Sequence, residues 1–342
     1  MAAGNQTTLL STISEPEFTD LVRRNWVQTQ QFIDKNAKQM FVMDDVGSGQ
    51  GASKIYVEFD TETYGDVKPE GAAAQKAKVG VGYNTTMYSK TVAKQVDITI
   101  EERVQNRYPE VLAKITSLAE FCENRMDLDL SNRFTFATSS SYTDMNGNTV
   151  DTTTGDGNPL VYATHALAFS STTYSNRVSG DPAFSQTGLQ GALLLAASNI
   201  YNNFGQRRKM KFNVIFSWSD PGTVQAIDQL IHSTADVDAV QAGIVNTYQN
   251  KFTRVELPNL ATTATGAYDS TKRRWWGIGA VGQGLMGWQG ILGTWMAPTL
   301  KTPAPGNNGE NVDTLNWTYT TVCMYGITTV SGRGLIMACP SS

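Results

Sequence analysis

Between Arg107 and Phe136, apolar side chains recur at Leu112, Ile115, Ala119, Cys122, Met126, Leu130 and Phe134, in steps of three or four residues. That spacing lays one stripe along one face of a helix. Pro109 suits a first turn, where a missing N–H costs nothing, and Glu110 sits beside the positive end of the helix dipole. About 28 residues make a rod of roughly 40 Å, against a mean of about 11–12 residues for globular helices. A rod of that length spans a domain, so any fold for this chain has to be arranged around it.

The 342 residues have the length of two domains and ample material for a core. Charged side chains make up 17%, the net charge is −4, and the 30 glycines follow no period, which excludes disordered and collagen-like chains. A dedicated nucleic-acid binder would carry a strong positive field, and this chain does not. Cys122, Cys323 and Cys339 are too few and too widely spaced for a disulfide framework. With only His165 and His232 beside them, they spell no zinc site. No apolar run reaches the ~20 residues of a membrane span, and the first residues lack a signal peptide's basic start and apolar block. Assembly in a reducing cytoplasm is expected.

Taken in order, Pro16 to Met40 reads as one amphipathic arm. Ser14 and Glu17 form a capping box, and Phe18, Val22, Trp26, Ile33, Ala37 and Met40 form the stripe. Gly47 to Gly51 is a hinge by composition. From Lys54 to Thr99 the period changes to two. Ile55, Val57 and Phe59 alternate with polar residues, Pro69-Glu70-Gly71 turns the chain, and Val79, Val81, Tyr83, Met87, Val92, Val96 and Ile98 return it. Such a ribbon is marginal alone and needs something to lie on. Beyond the long helix, Thr138 to Gly157 reads as a loop and domain boundary. A helix follows Asp181, with Leu189, Ala192, Leu193, Ala196, Ile200 and Phe204 on one face, and Gly205 is placed to end it. Phe212 to Phe216 reads as a buried strand, and Asp220-Pro221 caps and opens a further helix. Short apolar runs alternate with Gly and Pro from Lys251 to Thr299, and Leu315 to Ala338 forms one or two extended strands.

Chemistry is sparse. Gly277-Ile-Gly-Ala-Val-Gly282 fits the dinucleotide fingerprint, but no strand–turn–helix unit surrounds it, so a glycine-rich turn is the better reading. His165 and His232 lack an acid–nucleophile constellation and are expected as polar surface or interface residues. The basic runs Arg207 to Lys211 and Lys272-Arg273-Arg274-Trp275-Trp276 are short and suit a subunit contact or a solvated edge better than phosphates. Glu101, Glu102, Asp127 and Asp129 are expected to face solvent or a neighbour's arginine rather than to act as an acid–base pair.

The order of these parts, together with Asp156-Gly-Asn-Pro-Leu160, Thr164-His165, Ser175-Asn176, Asp181-Pro-Ala-Phe-Ser185 leading into Leu189 and Ala192, Val245-Asn246 and Pro258-Asn-Leu260, resembles the major capsid proteins of tailed phages. The likeness lies nearest the Mu-like branch of the shell fold shared with encapsulins and the herpesvirus capsid floor, and it covers roughly residues 15 to 340. It implies an α+β fold: an N-terminal arm (1–53), an extended β-ribbon (54–104), a peripheral domain with the spine helix (105–186), a mixed α/β axial domain (187–312) and closing strands of the peripheral domain (313–342). It implies a structural rather than an enzymatic role, without cofactor, metal or membrane. Hexamers and pentamers of the chain itself would form the icosahedral virion shell around double-stranded DNA, which they would touch only through weak non-specific contacts. Portal and decoration proteins would be further partners. The ribbon begins near residue 54, so a scaffold, where one is used, is expected as a separate protein. Contacts between copies are expected at Trp26 and Phe32 of the arm, at Lys68, Pro69, Glu70 and Lys76 of the ribbon tip, and at Arg273, Arg274 and Trp275. Lys68, Lys76 and Lys78 are positioned for a lysine cross-link, but no pattern supplies its asparagine partner, so none is expected. The competing readings are an encapsulin-like cargo compartment and a nucleotide-binding enzyme built on the Gly277 stretch.

Overall fold

The structure, a computed structural model, describes residues 15–33, 35–47, 49–235, 245–284, 287–303 and 314–341. The arm is not one helix to Met40. It divides into α1 (Glu15–Phe32) and a 3-10 turn (Asn36–Met40), with Lys35 between them at φ −124°, ψ 26°. The two pieces serve different parts of the core, which one straight helix could not reach. Phe18 and Val22 of α1 pack with Ile115, Leu118, Trp317 and Tyr319. Ala37, Met40 and Phe41 instead enter the cluster around Phe134 and Trp288. Ser14 of the expected capping box lies outside the described residues.

Next come β1 (Val42–Asp45), β2 (Ser53–Thr61), β3 (Val79–Tyr88) and β4 (Lys90–Ile98). The ribbon is the antiparallel pair β2–β3 alone, while β4 leaves it and joins a sheet of the body. A short α2 (Ile100–Val104) follows, its start fixed by a Thr99–Glu102 capping box. Then α3 (Tyr108–Thr135) runs unbroken for 28 residues with Pro109 in its first turn. Ile115, Ala119, Cys122, Met126, Leu130 and Phe134 are all buried along it. The remaining elements are β5 (Ser141–Thr143), β6 (Thr149–Asp151), β7 (His165–Ala166), β8 (Thr173–Tyr174), α4 (Gln186–Ser198), β9 (Val214–Ser217), α5 (Pro221–His232), β10 (Thr253–Glu256), β11 (Trp276–Gly279), β12 (Gly290–Lys301), β13 (Trp317–Thr329) and β14 (Leu335–Ala338). The mixed α+β class expected from the sequence holds.

Two four-stranded sheets carry the body, one ordered β1-β12-β13-β4 and the other β10-β9-β11-β14. The C-terminal half of α3 lies between them. Met126, Leu130 and Phe134 meet Cys323 and Tyr325 of the first sheet and Phe216, Leu335 and Met337 of the second. Alternate residues of the second sheet (Ile215, Trp276, Ile278, Ile336, Ala338) face the other way, onto Leu189, Ala192 and Ala196 of α4 and Ile227, Leu230 and Ile231 of α5. Cover on both faces explains why β9, β11 and β14 are buried along their whole length, while the edge strand β10 is not. The helix caps fall where the residues require. Ser185 Oγ accepts from Gly188 N at 3.0 Å, and Asp220 Oδ2 accepts from Thr223 N at 3.0 Å. α4 stops at Ser198, short of the expected Gly205; the buried Ile200 instead packs with Leu167 and Tyr174.

The boundary expected at 312/313 separates strands that pair. β12 and β13 are antiparallel neighbours in one sheet, whereas β14 belongs with β11 in the other. The loop from Thr138 to Gly157 contains the β5–β6 hairpin. Arg133 of α3 holds it by donating to Asp151 O at 2.6 Å and, with its other nitrogen, to Ile327 O at 2.7 Å. The sequence motifs beyond it are stitches of the body. Asn176, wholly buried, donates to Leu160 O at 2.7 Å and Gly332 O at 3.1 Å and accepts from Tyr162 N at 2.9 Å.

Candidate functional site

The ribbon is built against the usual rule. In a strand pair with one face on a body, apolar residues ordinarily turn inward. Here Ile55, Phe59, Val79 and Val81 are 52–67% exposed, while Glu58 and Asp60 are 2% and 6% exposed. A one-residue shift would exchange the two faces completely, so the orientation is strongly specified. Three observations specify it. Arg333 Nη1 donates to Glu58 Oε1 at 2.7 Å and to Asp60 Oδ2 at 3.1 Å. Asn203 gives its backbone N–H to Asp60 and its amide to Glu58, both at 2.8 Å. Opposite these acids β3 carries Gly80 and Gly82. A Cβ on Gly80 would lie 2.3 Å from the Phe169 ring, and one on Gly82 2.5 Å from Asn203 Nδ2, so only glycine fits this close approach. The product is an apolar outer face on an arm that projects from the body.

At the ribbon root the packing is conventional. Met87 is buried with Val46 and Trp295, and Trp295 Nε1 donates to Gly51 O at 3.0 Å. Beside the root lies an open cleft of about 670 Å³, lined in part by Lys90, Asp129, Arg133, Tyr142 and Asp144. Asp129, 1% exposed, accepts from Arg125 Nε at 3.0 Å and from the Tyr325 hydroxyl, and pairs with Lys90. Burial pulls the Lys90 ammonium below its usual range, against the opposing pull of Asp129. Burial and then the Asp129 charge raise the Tyr325 phenol.

His165 is not the surface residue expected. It is fully buried, its Nδ1 is 2.8 Å from Asp156 Oδ2, and its ring stacks on Tyr174 at 4.7 Å. Burial opposes ionisation of Asp156, yet the hydrogen bond and charge of His165 hold its carboxyl well below the usual range. An enclosed imidazole meets no substrate, so this pair is a brace. Of the acids on and beside α3, Glu101 is exposed as expected, but Glu102, Asp127 and Asp129 turn inward. Glu102 pairs with Lys114 at 2.6 Å, Asp127 accepts from Asn259 at 2.7 Å, and Asp129 is placed as described. Within the first basic run, Arg208 lies 3.7 Å from Asp60 of the ribbon and is 6% exposed, so that member joins ribbon to body.

The ribbon-tip residues Lys68, Pro69, Glu70 and Lys76 are all exposed, with the chain turned by Ala72 N bonding Pro69 O at 3.2 Å and Gly71 at φ +77°. Trp26 is half-buried on α1, and the side chain of Phe32 lies outside the described residues. Arg274 is exposed and Arg273 half-buried, 4.0 Å from Asp220. Trp275 is not an available contact. It is 8% exposed within the main core, next to Lys272, whose ammonium lies 4.2 Å from the Phe136 ring. Gly277 to Gly282 is no phosphate cradle: Trp276 to Gly279 is an inner strand, and a Cβ on Gly277 would sit 2.5 Å from the Phe216 ring and 2.7 Å from Ile336 O. Sequence reasoning missed the Glu58, Asp60, Asn203 and Arg333 cluster. The available signal was the acid–apolar alternation itself, which marks two faces without saying which one is wet.

Among the described residues no group of His, Cys, Asp and Glu is arranged to hold a metal, and no helix is long and apolar enough to cross a membrane. No family model and no curated protein matches the sequence. Among solved structures, the chain is similar to the capsid of the cyanophage P-SCSP1u at 12% identity, with 89% of this chain and 88% of that chain covered and a TM-score of 0.48. It is similar to the cyanophage Pam1 capsid at 15% identity, covering 88% and 89%, with a TM-score of 0.45. The virus-like particle from Pyrococcus furiosus is similar at 10% identity, covering 94% and 99%, with a TM-score of 0.44.

Proposed function

We propose that this chain is the shell-forming major capsid protein of a tailed phage, assembling through copies of itself into an icosahedral head around double-stranded DNA. The observation that carries the reading is the ribbon with its apolar face outward. A soluble monomer gains nothing from Ile55, Phe59, Val79 and Val81 in water, whereas a shell subunit buries them against its neighbour. Head-to-tail contacts that close into rings let one chain make hexamers and pentamers, with obligate interfaces on the order of 2,000–5,000 Å². The arm, the exposed ribbon tip and Arg274 offer further contact surface, and the charge of −4 leaves DNA contact weak and non-specific. The similar structures are two capsids and a virus-like particle, and the proposal brings that role to this chain. Portal, decoration and separate scaffold proteins would complete the particle, built in the host cytoplasm.

Electron microscopy of the purified full chain tests the reading. Closed shells are expected, and nuclease-protected DNA inside particles from infected cells decides for a genome container over a cargo compartment. A chain that stays monomeric at every salt and protein concentration would overturn it.

A further inference from the structure

Ribbon residues 58 to 60 and 80 to 82 turn no apolar side chain toward the body; the inward positions are Glu58, Asp60, Gly80 and Gly82. The joint is an ion cluster instead. Arg333, in the turn between β13 and β14, reaches Glu58 and Asp60 with one guanidinium nitrogen and Asn203 Oδ1 with another. Arg208 Nη1 lies 3.7 Å from Asp60 Oδ1, so two carboxylates meet two guanidinium groups, all four side chains 6% exposed or less. Toward the tip the attachment continues through Asn202 Nδ2, which donates to Thr61 O at 3.1 Å. Toward the root, Gly47 and Gly49 at φ +70° and +101° precede β2, and Ser89 alone separates β3 from β4.

The planar guanidinium donates through one nitrogen to two ribbon carboxylates and through another to Asn203 Oδ1 of the body, so its fixed plane ties the ribbon to the body in direction as well as distance. We propose that Arg333 is the positioning residue of the ribbon: its cluster is a latch that sets the angle at which the apolar face is presented, and the ribbon root is the pivot about which the arm swings when the latch opens. The proposal assumes nothing about what covers that face, so it stands or falls separately from the shell reading. An unlatched two-stranded ribbon is marginal in water and frays.

Hydrogen exchange on the full chain tests it, with Arg333→Met and Gly82→Ala each compared with the parent in the same assembly state. Gly82→Ala keeps every charge and wedges a methyl 2.5 Å from Asn203 Nδ2 and 2.9 Å from Glu58 Oε2. Amides of residues 57–61 and 79–82 are expected to exchange at least about tenfold faster in both variants, with α3 and β13 at parental rates. Parental exchange in the ribbon of either variant overturns the latch. Equal loosening of α3 and β13 also overturns it, because the cluster would then be part of the body's general stability. Should Arg333→Met be insoluble, Gly82→Ala alone decides on the same criteria.

Discussion

Asp129 shows how much one buried carboxylate holds in this protein. It joins α3 to β13 through the Tyr325 hydroxyl and to the start of β4 through Lys90, while Arg125 takes the same oxygen one turn away. Asp129→Asn leaves Lys90 without its counter-charge, while Arg125 keeps Asp144 at 3.4 Å, and a loss on the order of 3 kcal/mol in denaturant unfolding is expected. Asp156 makes a pH-dependent contribution. Its folded carboxyl is depressed, so its stabilisation is complete above the ordinary carboxylate range near pH 4 and fades as pH falls toward the folded value. The stability gap between the parent and Asp156→Asn is therefore expected to be constant from neutral pH to about 5 and to shrink below about 4. The cysteines give a third check. Cys122 and Cys323 are wholly enclosed, and burial pushes the Cys339 thiol up to about 12. An aromatic disulfide reagent is expected to titrate none of the three in the native chain and all of them in guanidinium.

At the scale of elements, what could be read from the sequence follows from which forces act locally. The periodicity of α3 is a property of its own side chains, and both core clusters along its length lie against the same stripe, so its extent and its buried face were legible. Phe134→Ala, removing a ring packed 5.1 Å from Phe216 and 5.5 Å from Phe41, is expected to cost ~3–5 kcal/mol in thermal or denaturant unfolding. The break after Phe32 was not legible, because the stripe continues through it and the reason lies in two separate patches supplied by remote residues. The ribbon strands were legible as strands, but their orientation was not. That depends on Arg333 and Asn203, which stand more than a hundred residues away and form no local pattern. The pairing of β12 with β13 across the expected boundary escaped for the same reason: apolar alternation says that a strand exists and is silent about its neighbour.

For the whole molecule, the proposed shell role would put stability and assembly on different residues. Phe59→Ser combined with Val81→Ser is expected to leave subunit unfolding within about 0.5 kcal/mol of the parent, since both side chains face water in the free chain. Light scattering should nevertheless show shell formation abolished. Unchanged assembly would place the contact elsewhere. Strand order also bears on the timing of manufacture. β13 is an inner strand of one sheet, and β14, a few residues later, is an edge of the other. Arg333, which holds the ribbon, lies between them. A chain that ends before Trp317 therefore has two incomplete sheets and a ribbon held by Asn202, Asn203 and Arg208 without Arg333. If the chain assembles as proposed, connectivity alone then limits polymerisation by half-made subunits, because the angle at which the ribbon is presented is set only when the last segment of the body arrives.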